Sequence, residues 1–199
     1  MNETCGELKA AIRLRVRDRL KGLPANTRCA ASAQVCSRLQ REPIWRDARS
    51  VLLYVPLPDE LDVGPLLQAA LEQGKELALP GFDAGQGDYL ARRVLDLRHD
   101  LRPGRFGIPE PKEDCRAVPL NQLDFIAAPG VAFTLDGRRV GRGRGFYDRL
   151  LSFVRGVKCG IAFDEQIVDE IPAESHDIRL DCVLTPSRWI QAVRGAAIE

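Results

Sequence analysis

The sequence predicts an α/β protein built on a sheet whose strands are buried on both faces, and three observations lead there. Short continuous apolar runs, at residues 51–55, 76–80 and 123–128 among others, have the length of strands and lack the alternation of a half-exposed sheet. Segments with helical spacing or helix-end signals separate the first of them, which is the strand–helix–strand order of an α/β sheet. No Pro/Ser/Gly-rich linker or shift of composition divides the 199 residues, so 1–199 are expected to form one domain. Ligands of such sheets sit on loops at the carboxyl ends of strands.

Each element has its own signal. Thr4 and Glu7 have the spacing of a capping box, and Leu8, Ile12, Val16 and Leu20 follow at helical intervals, so a first helix is expected to end near residues 22–24. Lys9, Arg13 and Arg17 line one face of it, the usual look of a solvated basic stripe. A second helix is expected over 26–40, and a strand over 51–55 before Pro56. Residues 57–61 read as a loop carrying Glu60, by itself an ordinary exposed carboxylate. A helix over 62–73 closes at Gly74. Strands follow at 76–80 and 89–95. Residues 101–111 are rich in Pro and Gly and read as a shaped loop with Phe106 in its middle, where the ring either packs on the core or offers its face to a ligand. Beyond the strand at 123–128, a helix is expected over 147–153, strands over 157–163 and 181–185, and loop over 172–177.

Composition narrows the function. The net charge is +1, so the cations gathered between residues 138 and 149 are a local concentration, which favours a small anionic ligand over nucleic acid. Six scattered cysteines form no CxxC pair and no zinc-type cluster, as expected of reduced thiols in a cytoplasmic protein. No run approaches membrane-spanning length and no signal-type segment occurs, so a soluble, unprocessed monomer is expected, with no membrane partner.

The chemistry is expected in residues 129–151. A strand ends there in Pro129-Gly130, glycines stand at 137, 141, 143 and 145, and Arg138, Arg139, Arg142, Arg144 and Arg149 crowd between them and the next helix. Glycines let backbone N–H groups turn inward, and guanidiniums add charge, so phosphate is the expected ligand. The loop is neither a P-loop, for no Gly-Lys-Ser or Gly-Lys-Thr occurs, nor a G-x-G-x-x-G dinucleotide turn. Asp148 either favours the helix dipole or holds Mg²⁺ beside a nucleotide. His176-Asp177 is either a loop cap or a second metal contact.

Residues 129–133 (Pro-Gly-Val-Ala-Phe) with 141–148 (Gly-Arg-Gly-Arg-Gly-Phe-Tyr-Asp) resemble the signature of the 5-formyltetrahydrofolate cyclo-ligase family. Lys9 with Arg13, residues 57–60, residues 106–111, and His176-Asp177 with Asp181 match in the same order along the chain. The resemblance implies a single α/β domain with a largely parallel but mixed sheet and helices on both faces. It implies an enzyme that uses ATP and Mg²⁺ to close 5-formyltetrahydrofolate into 5,10-methenyltetrahydrofolate. ATP contacts then fall on Lys9, Arg13, Arg139, Val140, Gly141, Arg142, Gly143, Arg144, Gly145, Phe146 and Tyr147. Folate contacts fall on Val55, Glu60 and Phe106, and Arg142, Gly143, Arg144, Gly145 and Phe146 are shared by both ligands. Arg142 and Arg144 are the expected catalytic cations, with Arg144 nearest the transferred phosphoryl group, and Asp148 and Asp177 are the expected Mg²⁺ ligands. Three positions depart from the family pattern: Phe146 and Thr134 stand where tyrosine and aspartate are common, and Arg144 replaces lysine or glycine. The alternative is a nucleotide-binding regulatory or scaffold protein on the same fold, without turnover.

Overall fold

The computed structural model describes residues 4–192, with the side chain of Phe106 outside that description. Two helices open it, α1 (Cys5–Lys21) and α2 (Ala25–Arg41), followed by a single turn, α3 (Pro43–Arg46). The capping box forms: the Thr4 hydroxyl accepts the Glu7 amide at 3.3 Å, and the Glu7 carboxylate accepts the Thr4 amide at 2.8 Å. The buried side of α1 differs from the expected one. Ile12, Val16 and Leu20 are inside, but Leu8 is 36% exposed and Lys9 takes the buried place beside them at 6%. The basic stripe is therefore graded: Lys9 is buried, Arg13 half-buried and Arg17 exposed.

The sheet begins with β1 (Ser50–Leu52), α4 (Gly64–Glu72), β2 (Glu76–Asp83) and β3 (Asp88–Val94), and later strands complete it. Between β3 and β6 (Phe125–Ala128) lies a small hairpin, β4 (Leu101–Pro103) with β5 (Pro109–Pro111), around a 3-10 turn at Arg105–Gly107. The shaped loop of residues 101–111 is thus a two-stranded flap. A second hairpin, β7 (Ala132–Phe133) with β8 (Arg139–Val140), follows β6, and then come α5 (Phe146–Ser152), β9 (Val157–Ile161), β10 (Cys182–Leu184) and β11 (Trp189–Gln191).

Seven strands lie in the order β11-β10-β9-β6-β1-β2-β3. The inner five are parallel, and β3 and β11 run antiparallel at the edges, which makes the sheet largely parallel but mixed. Side chains alternate between faces. Val51, Leu53, Leu77, Phe125 and Ala127 pack with α1, α2 and α4, whereas Leu52, Ala78, Ile126 and Ala128 pack with Leu150 and Leu151 of α5. Each fully buried Leu or Phe contributes about 1.5–3 kcal/mol before the entropy of ordering it is subtracted. Helices therefore cover both faces. No described helix is long and apolar enough to cross a membrane.

From β1 the chain builds outward to β2 and β3, then returns to the other side of β1 to lay down β6, β9 and β10. The order reverses between β1 and β6. Connections leaving these two strands diverge to opposite faces and open a crevice at their carboxyl ends. Residues 53–61 leave β1 and residues 129–145 follow β6, so the topology alone brings together the loop of Glu60 and the loop of arginines.

Candidate active site

A cavity of about 360 Å³ fills that crevice. Val55, Leu57 and Glu60 come to it from the loop after β1, Pro80 and Tyr89 from the β2–β3 hairpin, Ile108 and Glu110 from the flap. Gly141, Arg142, Arg144 and Gly145 close it from the arginine loop, with Phe146, Tyr147 and Asp148 at the start of α5. Early departure from the sheet explains how β1 contributes: pairing stops at Leu52, short of the expected residue 55, so Tyr54 and Val55 turn into the crevice before Pro56.

The arginine loop is shaped by two left-handed residues, Gly143 at φ 99° and Gly145 at φ 67°. A Cβ at Gly143 would meet only the Arg13 side chain at 3.7 Å, so glycine is needed there for backbone conformation and not for space. Arg13 lies against the loop because its Nε donates to the Gly141 carbonyl at 2.8 Å. The helix that follows is under two turns long and has no side-chain cap, so side chains, more than its dipole, carry the positive charge of the site.

The five loop arginines divide by contact. Arg138 donates to Asp136 at 3.0 Å and to the Ile171 carbonyl at 2.9 Å, and Arg149 grips Asp88 at 2.8 and 3.0 Å; both belong to the scaffold. Arg139, Arg142 and Arg144 line the cavity. Arg142 crosses it to donate to Asp59 at 2.5 Å and to Glu60 at 3.2 and 3.3 Å. The Glu60 side chain is 10% exposed. Burial raises its pKa above the usual carboxylate range, outweighing the Leu57 amide at 3.0 Å and Arg142. The Arg139 side chain is 2% exposed; it donates to Asp148 at 2.7 Å and to the Pro129 carbonyl at 3.2 Å, and its buried Nε has no partner among the described residues.

Lys9, Arg13, Val140, Gly143 and Asp177 stand outside the cavity walls. Val140 is a core residue of β8, 1% exposed. Lys9 donates to Asp177 at 2.6 Å and to Glu174 at 2.8 Å, joining α1 to the loop at residues 172–177. The two expected Mg²⁺ ligands thus hold separate cations, Asp148 with Arg139 and Asp177 with Lys9. Asp177 lies with Glu174 and His176, their ligand atoms within 4.8 Å of one another, and Asp148 is not in that group. Carboxylate oxygens are the donors a hard divalent cation requires, and in that respect both fit Mg²⁺. The Phe106 side chain is outside the described residues; its backbone forms the 3-10 turn of the flap. Thr134 donates its hydroxyl to Asp136, so a carboxylate stands beside this position.

Tyr54, Tyr89 and Glu110 were not foreseen as site residues. Tyr54 lies within an apolar run and reads as core, which it also is at 3% exposure. Its hydroxyl and that of Tyr147 are buried without a hydrogen-bond partner among the described residues. Glu110, flanked by two prolines, gives no sign of burial in the sequence.

The Lys9–Asp177 pair makes stability depend on pH at both ends. Burial lowers the Lys9 pKa, but the hydrogen bonds it donates to Asp177 and Glu174 outweigh it and the net shift is upward; burial raises the Asp177 pKa, but Lys9 and the Glu174 amide outweigh it and the net shift is downward. The carboxylate's contribution is therefore full above about pH 4 and lost as pH falls through its lowered value, and the ammonium's is full below about pH 10 and lost as pH rises through its raised value. Lys9→Met is expected to cost about 2–3 kcal/mol near neutrality, as both carboxylates keep some exposure to water. Melting curves from pH 2 to 8 check it: the gap between wild type and variant should close at the acid end, and a constant gap would assign the loss to packing.

Comparison with known proteins places the chain among folate enzymes. A profile of the 5-formyltetrahydrofolate cyclo-ligase family matches residues 6–186. The chain is 35% identical over 177 residues to the 5-formyltetrahydrofolate cyclo-ligase of Escherichia coli (strain K12), covering 87% of this chain and 97% of that one. To the 5-formyltetrahydrofolate cyclo-ligase of Mus musculus it is 28% identical over 192 residues, 91% and 95% of the two chains. Among solved structures, the 5,10-methenyltetrahydrofolate synthetase of Aquifex aeolicus superposes with a TM-score of 0.85 at 35% identity over 96% of both chains. A Mycoplasma pneumoniae 5,10-methenyltetrahydrofolate synthetase, at 19% identity and a TM-score of 0.71 over 89% of this chain and 98% of that one, shares the fold.

Proposed function

The chain belongs to the 5-formyltetrahydrofolate cyclo-ligase family, and from that premise we propose that it closes 5-formyltetrahydrofolate into 5,10-methenyltetrahydrofolate with ATP and Mg²⁺, releasing ADP and phosphate. One observation carries the reading: Arg142 joins the glycine–arginine loop to Glu60 across a single cavity. A buried carboxylate suits the N–H groups at the edge of a pterin, and the glycine–arginine loop suits phosphates, so a guanidinium reaching both stands where the two substrates meet. We further propose that the protein acts in the cytoplasm, as a monomer, on small molecules alone.

A formamide oxygen is a poor leaving group. Transfer of the terminal phosphoryl group of ATP to that oxygen forms an O–P bond and releases ADP. Nitrogen 10 of the folate then attacks the formyl carbon and gives up its proton to solvent, and the C–O bond breaks with phosphate as leaving group. Nothing in this sequence needs a protein nucleophile; it needs charge neutralisation and alignment. Arg144 and Arg142 face the charge that moves, Glu60 orients the folate, and Arg139 presents a guanidinium whose Nε lacks a partner among the described residues. Asp148 and Asp177 are the carboxylates that would hold Mg²⁺, and the ion would supply electrostatic neutralisation of the phosphates.

The purified protein is expected to generate the near-ultraviolet absorbance of the methenyl product only when 5-formyltetrahydrofolate, ATP and a divalent metal are all present. ATP binding with no absorbance change at high protein concentration would instead identify a nucleotide-binding protein without turnover.

A further inference from the structure

We infer that Glu110 is a positioning residue for the folate: it holds the flap and the aromatic wall of the cavity in one fixed arrangement. This rests on the folate reading above and adds a residue to it. Glu110 is 5% exposed, and its carboxylate gathers donors from three elements. Oε2 accepts the Phe82 amide of β2 at 3.1 Å, and Oε1 accepts the Arg105 amide of the flap turn at 2.9 Å and the Tyr89 hydroxyl of β3 at 3.2 Å. The backbone has closed over it: a Cβ at Gly104 would lie 2.3 Å from Glu110 Cγ.

What those donors carry makes the carboxylate more than a staple. The Tyr89 ring meets Phe146 of the arginine-loop helix edge-on, centroids 4.8 Å apart at 67°, and meets Phe82 at 5.5 Å and 70°. The Arg105 guanidinium lies over the Phe82 ring, and Phe106 is the next residue in the turn. One carboxylate therefore fixes the backbone beside Phe106 and the ring that abuts Phe146, two positions expected to touch folate. Tyr89 remains a hydroxyl donor through the working range, since burial and the Glu110 carboxylate push its pKa up to about 12. Hydrogen bonds to an ionised acceptor are stronger than neutral ones, and a buried donor left without its acceptor is costly.

Glu110→Gln keeps the size and removes the fit, because three donors converge on two oxygens and an amide turns an N–H toward at least one of them. The expected result is a rise of about tenfold in KM for 5-formyltetrahydrofolate, with kcat within about threefold and KM for ATP within about twofold. Tyr89→Phe, which keeps the ring against Phe146 and drops the hydroxyl, should move the folate KM the same way by about threefold. Calorimetric Kd values for 5-formyltetrahydrofolate without ATP, on the wild type and both variants, separate this inference from the proposed reaction. If the wild type binds folate without turning over, the reaction fails, while the ratio of Kd values still decides the role of Glu110. Absence of folate binding by the wild type overturns both. Unchanged folate affinity in the variants, or equal weakening toward folate and ATP in step with a lower melting temperature, overturns the positioning role.

Discussion

Arg144→Ala is expected to lower turnover by about 10²–10³-fold while changing ATP affinity far less, because a cation aimed at migrating charge matters most in the transition state. The geometry behind this is a held backbone with a side chain at the cavity. Arg144 lies between two left-handed glycines, and its carbonyl accepts Arg149 Nη1 at 3.2 Å while Arg149 is itself fixed on Asp88. Its side chain lines the cavity, close enough to Tyr89 for its charge to act on that hydroxyl. Arg144→Lys keeps a cation and should stay within about tenfold of wild type. Single-turnover rates beside ATP dissociation constants read the difference; an unchanged rate at saturating substrates would leave Arg144 without a catalytic part.

Asp148→Ala carries the largest expected loss of stability. It strips the charged partner from Arg139, whose side chain is 2% exposed and otherwise donates to the Pro129 carbonyl and lies over the Tyr147 ring. Removing one member of a buried pair costs about 3–5 kcal/mol, since the remaining charge is left uncompensated. At this chain length that is a fall of roughly 10 °C in melting temperature. Arg139→Met with Asp148→Ala should cost less than the sum of the single changes, as residues in contact do not act independently. Metal binding is read apart from this by titrating Mg²⁺ into Asp148→Asn, which keeps the shape: a raised Mg²⁺ requirement supports the ligand role, and an unchanged one leaves Asp148 solely as the partner of Arg139.

Much of the fold was legible because burial on both faces leaves continuous apolar runs, and β1, β2, β6, β9 and β10 all fall within or across them. The capping box of α1 is a local code and formed as written. Pairings of two or three residues were not legible: β4 with β5 and β7 with β8 exist because the surrounding sheet holds them, and β11 is a three-residue edge strand beyond Pro186. Within the site, the glycine–arginine segment announced itself through composition. Composition did not tell Arg139, buried against Asp148, from Arg138 and Arg149, which brace the scaffold. Leu8 and Lys9 exchanged their expected environments for a similar reason, since the carboxylates that make burial of Lys9 tolerable lie near the far end of the chain.

That last pairing sets a timetable for synthesis. Lys9 and Asp177 are 168 residues apart, and α1 packs on β7 and on the turn at Asp164–Gln166, all translated long after it. At ribosomal rates of about 5–20 residues per second, the Lys9 side of the pair waits roughly 10–30 s for its partner. Ile12, Val16 and Leu20 wait with it, an apolar stripe on a nascent helix whose docking surface does not yet exist. The charged residues around that stripe, Arg13, Arg15, Arg17, Asp18 and Arg19, keep the helix hydrated in the interval. The native docking of α1 can therefore be completed only after β9 and the segment beyond it have been made.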